Sequence, residues 1–205
     1  TSPRPREILA LLGVPFEVIA PQFDEQVSPH STIEEEVLDF AFGKAKSVAA
    51  DHRDGIIIGS DTMISCDGRK IGKPADTADA RGILRFLSGK RHRIYTGVAI
   101  LDRNGPGLGT VEIVDVDMKY LEAHDIDAYL AAGESMDKAG AYSIQGEGRN
   151  LLAGIRGDYL AAVGMPLKPI ADYLKIRGVE LKQEVDEIYR DKALQNWRGS
   201  NSPRL

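Results

Sequence analysis

Helix-like and strand-like segments alternate along the first 178 residues of this 205-residue chain. Such alternation favours an α/β fold, because each helix can pack its apolar face against a sheet built from the intervening strands. A hydrophobic content of 42% is enough for one sizeable core or for two tightly joined lobes. From Val179 onward charged residues crowd together, so we expect residues 179–205 to form a charged C-terminal tail.

Apolar periodicity, capping residues and turn residues predict the individual elements. In chain order these are a helix over 5–13, a strand at 16–20, a helix that starts from a Ser31/Glu34 capping box and runs to about Asp51, a strand at 55–61, a hairpin at 63–71 that turns at Asp67-Gly68, a helix over 77–89, two long strands joined at Asn104-Gly105, and helices near 124–132 and 165–178. Asp115 and Asp117 alternate with apolar residues, and we expect them on the solvated face of a strand.

The stretch GIIIGSDTMI at 55–64 places three isoleucines in a strand too continuously apolar to be exposed on either face. We expect this strand to end at Asp61. One interpretation of Asp61 is a turn or helix-capping aspartate. The other is a general base or a metal ligand at the carboxyl end of the strand, within reach of water. The pattern alone leaves both open.

Composition and motifs exclude several classes of protein. The single Cys66 excludes an internal disulfide framework, and the four scattered histidines lack metal-ligand spacing. A net charge of −5 argues against a nucleic-acid partner, and no apolar run is long enough for a membrane span. The chain has no P-loop, no complete dinucleotide fingerprint and no nucleophile elbow. We expect a cytoplasmic protein whose phosphate chemistry, where present, is local.

Five other polar side chains near element ends carry both an ordinary and a functional interpretation. Arg4 precedes a helix, where a phosphate could meet both the guanidinium and the helix amino end. Glu25 is either a surface carboxylate or part of a site, and Lys44 and Lys73 are either solvated or phosphate-binding cations. Gln145 is either a satisfied loop amide or a group that recognises a base.

Read in order, these segments resemble the Maf family of nucleoside triphosphate pyrophosphatases. The resemblance covers nearly all of residues 1–178, which we therefore interpret as a single catalytic domain of two lobes. Its segments are SPRPREILALLG, FDEQ, GKAK, IIIGSDT, IGKP, LSG, TGVAI and DKAGAYSIQG, the last followed by GMPL. The resemblance implies a mixed twisted sheet in two lobes around a central cleft, with helices packed on the sheet. It also implies hydrolysis between the α- and β-phosphates, releasing monophosphate and pyrophosphate.

The resemblance also implies roles for individual residues. Asp61 matches the family's proposed catalytic base, and Glu25 matches a carboxylate that holds metal or water. Ser2, Arg4, Lys44 and Lys73 match polar positions of the triphosphate site. Arg4, Thr62 and Gln145 match the specificity positions of the branch that acts on dTTP, UTP and modified uridine triphosphates, whereas a sister branch acts on methylated guanosine triphosphate.

A divalent cation, Mg²⁺ or Mn²⁺, is the expected cofactor, because a triphosphate carries about four negative charges that must be neutralised before water attacks. A homodimer is expected from the family alone. Three features depart from its pattern: Pro5 stands where a second arginine is usual, Ser135 stands where a proline is usual, and an apolar strand normally precedes Ser2. The alternatives are the methylguanosine branch, a nucleotide-binding regulator of cell division without strong turnover, and a plain α/β interaction module.

Overall fold

A computed structural model describes residues 4–26, 30–52, 54–103, 105 and 107–190, with the side chain of Arg4 outside that description. The helices are α1 (Arg4–Ala10), α2 (Ile33–Ala49), α3 (Thr77–Leu87), α4 (Ala123–Ala131), α5 (Tyr159–Ala162), α6 (Leu167–Ile176) and α7 (Val185–Arg190), with short 3-10 helices at Ala139–Ala141 and Gly146–Leu151. The strands are β1 (Ile56–Cys66), β2 (Arg69–Ile71), β3 (Arg91–Asp102), β4 (Leu108–Met118) and β5 (Leu152–Arg156). Within these ranges no helix is both long and apolar enough to cross a bilayer.

The described strands form one sheet in the order β2-β1-β3-β4-β5. β1 pairs antiparallel with β2, and β4 pairs antiparallel with β5. Thr62 contacts Thr96 while Cys66 contacts Arg91, so β1 and β3 also run in opposite directions. The α/β class is confirmed, but the sheet is antiparallel at these pairs where we expected a mixed one. For β1 and β2 the Asp67-Gly68 hairpin explains the direction, since a two-residue turn joins antiparallel neighbours.

The described residues fall into two compact units. Unit 1 takes its residues from 4–62, 95–112 and 160–190, and unit 2 takes them from 63–94 and 113–159. The boundaries therefore lie inside β1, β3 and β4 rather than in loops. The central cleft implied by the family resemblance stays a prediction.

In unit 1, α2 packs very closely on β1 and β3 at two glycines. A Cβ atom on Gly59 would lie 2.3 Å from the Ala41 carbonyl oxygen, and one on Gly97 would lie 2.6 Å from the Val37 carbonyl oxygen. Such distances leave no room for any side chain, so these positions require glycine. The face of α2 that is buried in this contact carries Val37, Ala41 and Ala45.

In unit 2, the charged face of β3, β4 and β5 is built as the alternating pattern predicts. Arg91 and Arg156 both pair with Asp117, at 2.7 and 2.9 Å, and Arg93 pairs with Asp115 at 3.1 Å. The predicted hairpin turn is also confirmed: Asp67 and Gly68 have φ of 50° and 75°, as a tight two-residue turn requires.

Three predictions about individual elements are wrong. Residues 16–20 form no strand, because alternation alone cannot supply the neighbouring strand that the backbone needs. The capping box uses Thr32 and Glu35, one residue later than predicted, since Thr32 has the extended backbone of an N-cap and its side chain accepts from the Glu35 N–H. Strand β1 does not end at Asp61 but continues to Cys66, because residues 64–66 pair with residues 69–71 of β2.

Residues 179–190, the first part of the predicted tail, contact the rest of unit 1. The Lys182 amide donates to the Leu12 carbonyl, and Val185 and Ile188 of α7 are buried.

Candidate catalytic site

Asp61, Lys44 and Glu25 form one charged group in unit 1. Lys44 Nζ lies 2.5 Å from Asp61 Oδ1 and 2.7 Å from Glu25 Oε1. Because the three residues are far apart in sequence, the fold brings this group together. One ammonium is thus shared by two carboxylates, which leaves the group with a net negative charge.

The close packing of α2 on β1 determines which side chains meet. Gly59 and Asp61 are two residues apart and therefore lie on the same face of β1. Ala41 and Lys44 are three residues apart and therefore lie on the same face of α2. Because Gly59 meets Ala41, the next pair along both elements is Asp61 and Lys44.

Glu25 reaches Lys44 from the loop between α1 and α2. Phe23, two residues earlier, anchors this loop: its ring packs edge-on against Phe40 with 5.9 Å between ring centroids. A Cβ atom on Gly43 would lie 2.2 Å from the same ring, so Phe23 occupies the space above that glycine. The aromatic anchor fixes the path of the loop and brings the Glu25 carboxylate to α2.

Burial differs across the group and sets its protonation. Side-chain exposure is 12% for Asp61, 21% for Lys44 and 51% for Glu25. Burial raises the pKa of Asp61 above its ordinary value, and the Lys44 ammonium offsets only part of that rise. Burial acts to lower the pKa of Lys44, but Asp61 and then Glu25 outweigh it, so the pKa of Lys44 is raised. Lys44 therefore stays charged at neutral pH beside a carboxylate that is a stronger base than usual.

Thr62 lies on the opposite face of β1, away from α2. Its hydroxyl is 3.1 Å from the Thr96 hydroxyl, which in turn donates to the Ala161 carbonyl at 2.7 Å. Ser60, on the same face, donates to the Gly164 carbonyl at 2.8 Å. The two faces of β1 are thus held by different parts of unit 1.

The remaining predicted site residues are placed as follows. Lys73 is exposed between β2 and α3. Gln145 is half-buried, and its backbone N–H donates to Ser143 Oγ at 3.1 Å. Both residues belong to unit 2. Ser2 and the Arg4 side chain lie outside the described residues. The roles of all eight candidates stay predictions.

No motif in the sequence marks Thr96 or the buried pair of His92 and Tyr142. Thr96 is fully buried, and His92 Nε2 lies 2.6 Å from the Tyr142 hydroxyl. A usable signal was present, since Thr96 interrupts the apolar run of β3, and a buried hydroxyl must find a hydrogen-bond partner.

A divalent cation has two carboxylates available here. Asp61 and Glu25 already share one positive charge, the Lys44 ammonium, so the group attracts cations. No cluster of three or more acidic, histidine or cysteine ligands occurs within the described ranges. Two carboxylates fit Mg²⁺, which commonly binds proteins through one or two carboxylates and takes its other ligands from substrate phosphates and water.

Comparison with known proteins gives concordant matches. The profile described as Maf-like protein matches residues 1–176. A protein of Moorella thermoacetica named dTTP/UTP pyrophosphatase is 45% identical over 181 residues, which are 88% of this chain and 93% of the relative. Proteins of the same name from Bacillus cereus and from Bacillus anthracis are each 40% identical over 174 residues, which are 85% of this chain and 91% of each relative.

Proposed function

Because this chain belongs to the Maf family, we propose that it is a nucleoside triphosphate pyrophosphatase that hydrolyses dTTP and UTP. The bond cleaved lies between the α- and β-phosphates, and the products are a nucleoside monophosphate and pyrophosphate. The observation that carries the proposal is the shared ammonium of Lys44 between Asp61 and Glu25, in a chain 45% identical to a protein named for this activity.

Asp61 acts as the general base that takes a proton from the attacking water. Its raised pKa strengthens it as a base, while its 12% exposure still leaves an edge that water can reach. General-base action contributes on the order of 10² to 10⁴ in rate. The larger share of the acceleration must come from neutralising the charge on the transferred phosphate oxygens.

Lys44 supplies one of the neutralising charges. Asp61 and Glu25 hold it, so its ammonium is already partly desolvated and positioned when substrate arrives. Ser2, Arg4 and Lys73 are proposed to complete the triphosphate site.

Mg²⁺ or Mn²⁺ is the proposed cofactor, and the Glu25 carboxylate would hold it together with the triphosphate. The cation would supply charge neutralisation at the phosphate oxygens. The role of this chain is to offer an oxygen ligand on the loop that Phe23 anchors, which leaves the Asp61 carboxylate unligated for its role as the base.

Thr62 and Gln145 are proposed to recognise the base. A glutamine amide both donates and accepts, so it can pair with the carbonyl and imide edge of uracil or thymine. A carboxylate at the same position would better match the donors of guanine, which is why we favour the pyrimidine branch.

A cytoplasmic location and a homodimer complete the proposal. The location follows from the supply of nucleoside triphosphates. Gel filtration with light scattering tests the dimer, and a mass equal to one chain would exclude it.

The experiment is a pyrophosphate-release assay on dTTP, UTP, CTP and 7-methyl-GTP with Mg²⁺ or Mn²⁺. Asp61→Asn is assayed beside Asp54→Asn, a matched change at a side chain that is 99% exposed. We expect release from dTTP and UTP that falls at least 100-fold in Asp61→Asn and is unchanged in Asp54→Asn. Pyrophosphate release from 7-methyl-GTP and from none of the other three nucleotides would assign the chain to the methylguanosine branch. Nucleotide binding without release from any substrate would indicate a regulator.

A further inference from the structure

Three groups form a hydrogen-bonded chain on the face of β1 opposite Lys44. Thr62 Oγ1 lies 3.1 Å from Thr96 Oγ1, and Thr96 Oγ1 lies 2.7 Å from the carbonyl oxygen of Ala161. Thr96 is fully buried, whereas Thr62 is half-buried. The chain therefore runs from a fully buried threonine to one that is partly exposed.

Counting protons fixes the direction of both hydrogen bonds. A threonine hydroxyl carries one proton and two lone pairs, and a carbonyl oxygen can only accept. The Thr96 proton must point to Ala161, because two oxygens at 2.7 Å with no proton between them would repel each other. Thr96 then has only lone pairs to offer Thr62, so the Thr62 proton points to Thr96.

This assignment removes the donor from the exposed end of the chain. With its one proton committed to Thr96, Thr62 Oγ1 presents only a lone pair to a ligand. Next to it, Gly164 carries no side chain, and a Cβ atom there would lie 3.2 Å from Thr62 Oγ1. The side of Thr62 Oγ1 that faces away from Thr96 is thus an acceptor, and the neighbouring Gly164 places no side chain against it.

We propose that Thr96 is a positioning residue that turns Thr62 into an obligatory hydrogen-bond acceptor and so selects bases that present an N–H donor. This inference rests on the proposed function, in which Thr62 contacts the base. Uracil and thymine carry an N–H at ring position 3, whereas cytosine has an unprotonated nitrogen there. A lone pair on Thr62 attracts the first and repels the second, which discriminates UTP from CTP without any charged residue.

The test compares kcat/KM for UTP and CTP in wild type, Thr96→Val and Thr96→Ser. Valine keeps the shape but removes the acceptor, so the Thr62 hydroxyl can rotate and donate. We expect Thr96→Val to lower the UTP-to-CTP ratio about tenfold, mainly through a gain on CTP, since one hydrogen bond is worth about that factor. Thr96→Ser retains the hydroxyl and should retain the ratio. Equal losses on both nucleotides in Thr96→Val would overturn the proposal, because a purely structural role predicts that result.

A second variant separates the hydrogen-bonded chain from packing. Thr62→Val removes the acceptor itself and should also lower the ratio, and adding Thr96→Val to Thr62→Val should change the ratio no further. An unchanged ratio in Thr62→Val overturns the proposal even when Thr96→Val fails to fold.

Calorimetric binding of the α,β-imido analogues of UTP and CTP gives the same ratio without turnover. Suppose that the wild-type protein binds the UTP analogue more tightly than the CTP analogue but releases no pyrophosphate from UTP. This result contradicts the proposed function, and the role of Thr96 then stands only when Thr96→Val lowers the binding ratio. Wild-type binding of the two analogues with equal affinity overturns the role of Thr96 alone.

Discussion

At the scale of single residues, the shared ammonium of Lys44 makes a prediction about pH. Lys44 lowers the pKa of Asp61 against the effect of burial, so Lys44→Met should raise that pKa further. A general base works only when deprotonated, and the acid limb of the kcat/KM profile should therefore move to higher pH. We also expect a loss of about 100-fold at the optimum, because one charge that stabilises the transition state is gone. Rate measurements from about pH 4 to 9 test both effects.

Lys46→Met is the matched control, since Lys46 is exposed on the same helix two residues further on. It should leave the profile unchanged. An acid limb that stays in place in Lys44→Met would show that Lys44 does not tune Asp61.

His92 makes a separate prediction about stability. Burial lowers the pKa of His92 to about 4, from an ordinary value of 6.5, and the attraction of Asp117 offsets little of this. As the pH falls through this window the unfolded chain binds a proton that the folded chain does not, so the free energy of unfolding decreases. The loss should approach about 3 kcal/mol by pH 4.

Urea unfolding between about pH 4 and 7 measures this loss. His92→Gln should remove most of the decrease, whereas His124→Gln, at a side chain 75% exposed, should not. Parallel curves for wild type and His92→Gln would refute the assignment.

Candidate site residues could be proposed from sequence, but their arrangement could not. Asp61, Lys44 and Glu25 stand out once the motifs are read in order. Nothing in the sequence shows that one ammonium bridges both carboxylates, because that depends on helix-to-strand register. Thr96 was missed because a threonine in a strand is common and only its partners reveal what it does.

At the scale of elements, the approach of α2 to β1 is what brings Lys44 to Asp61. A Cβ atom on Gly59 would meet Ala41 backbone oxygen at 2.3 Å and Ala45 backbone nitrogen at 2.9 Å, so Gly59→Ala must push the helix away. We expect a loss of about 1 to 3 kcal/mol in stability and a fall in kcat/KM, while activity on UTP and dTTP changes in parallel. Urea unfolding and the pyrophosphate assay measure the two effects.

Gly82→Ala, in the middle of α3, is the control for the glycine substitution. An added Cβ there meets nothing within 4 Å, and alanine favours a helix, so stability should rise slightly. Wild-type kcat/KM in Gly59→Ala would mean that the close approach does not position Lys44.

Element starts were predicted to within one residue where a local signal fixes them, and strands were predicted poorly where pairing with another strand decides. The Asp67-Gly68 turn and the helix that starts after the Asp76 N-cap need only nearby residues, and both are found. The false strand at 16–20 and the early end of β1 both depended on partners that lie far away in the chain. Hydrophobic runs show where a strand can form, but the neighbouring strand decides where it ends.

At the scale of the whole molecule, each compact unit is assembled from separated stretches of sequence. The boundaries cut β1 after Thr62, β3 before Tyr95 and β4 after Glu112. Motif order along the chain therefore gave the family, but not this division. Sequence-local patterns carry no information about which distant stretches pack together.

A substrate analogue should stabilise the whole chain. We expect magnesium with the α,β-imido analogue of UTP, at about 100 times its Kd, to add about 2.7 kcal/mol to the free energy of unfolding. For a chain of this length that raises Tm by roughly 5 to 10 °C. Differential scanning fluorimetry measures the shift, uridine serves as the control that lacks phosphates, and Lys44→Met should reduce the shift. No shift at saturating analogue would contradict a nucleotide site.

The alternation along β1 has a consequence for how such a chain can diverge during evolution. Asp61 faces α2, whereas Thr62 faces Thr96 and Gly164, so the side chains of two neighbouring residues on one strand contact different parts of the protein. Mutations behind Thr62 can accumulate without touching the side chains that hold Lys44. A lineage can therefore change which nucleotide it removes while inheriting the same hydrolytic machinery, and a duplicated copy needs few steps to acquire a new target.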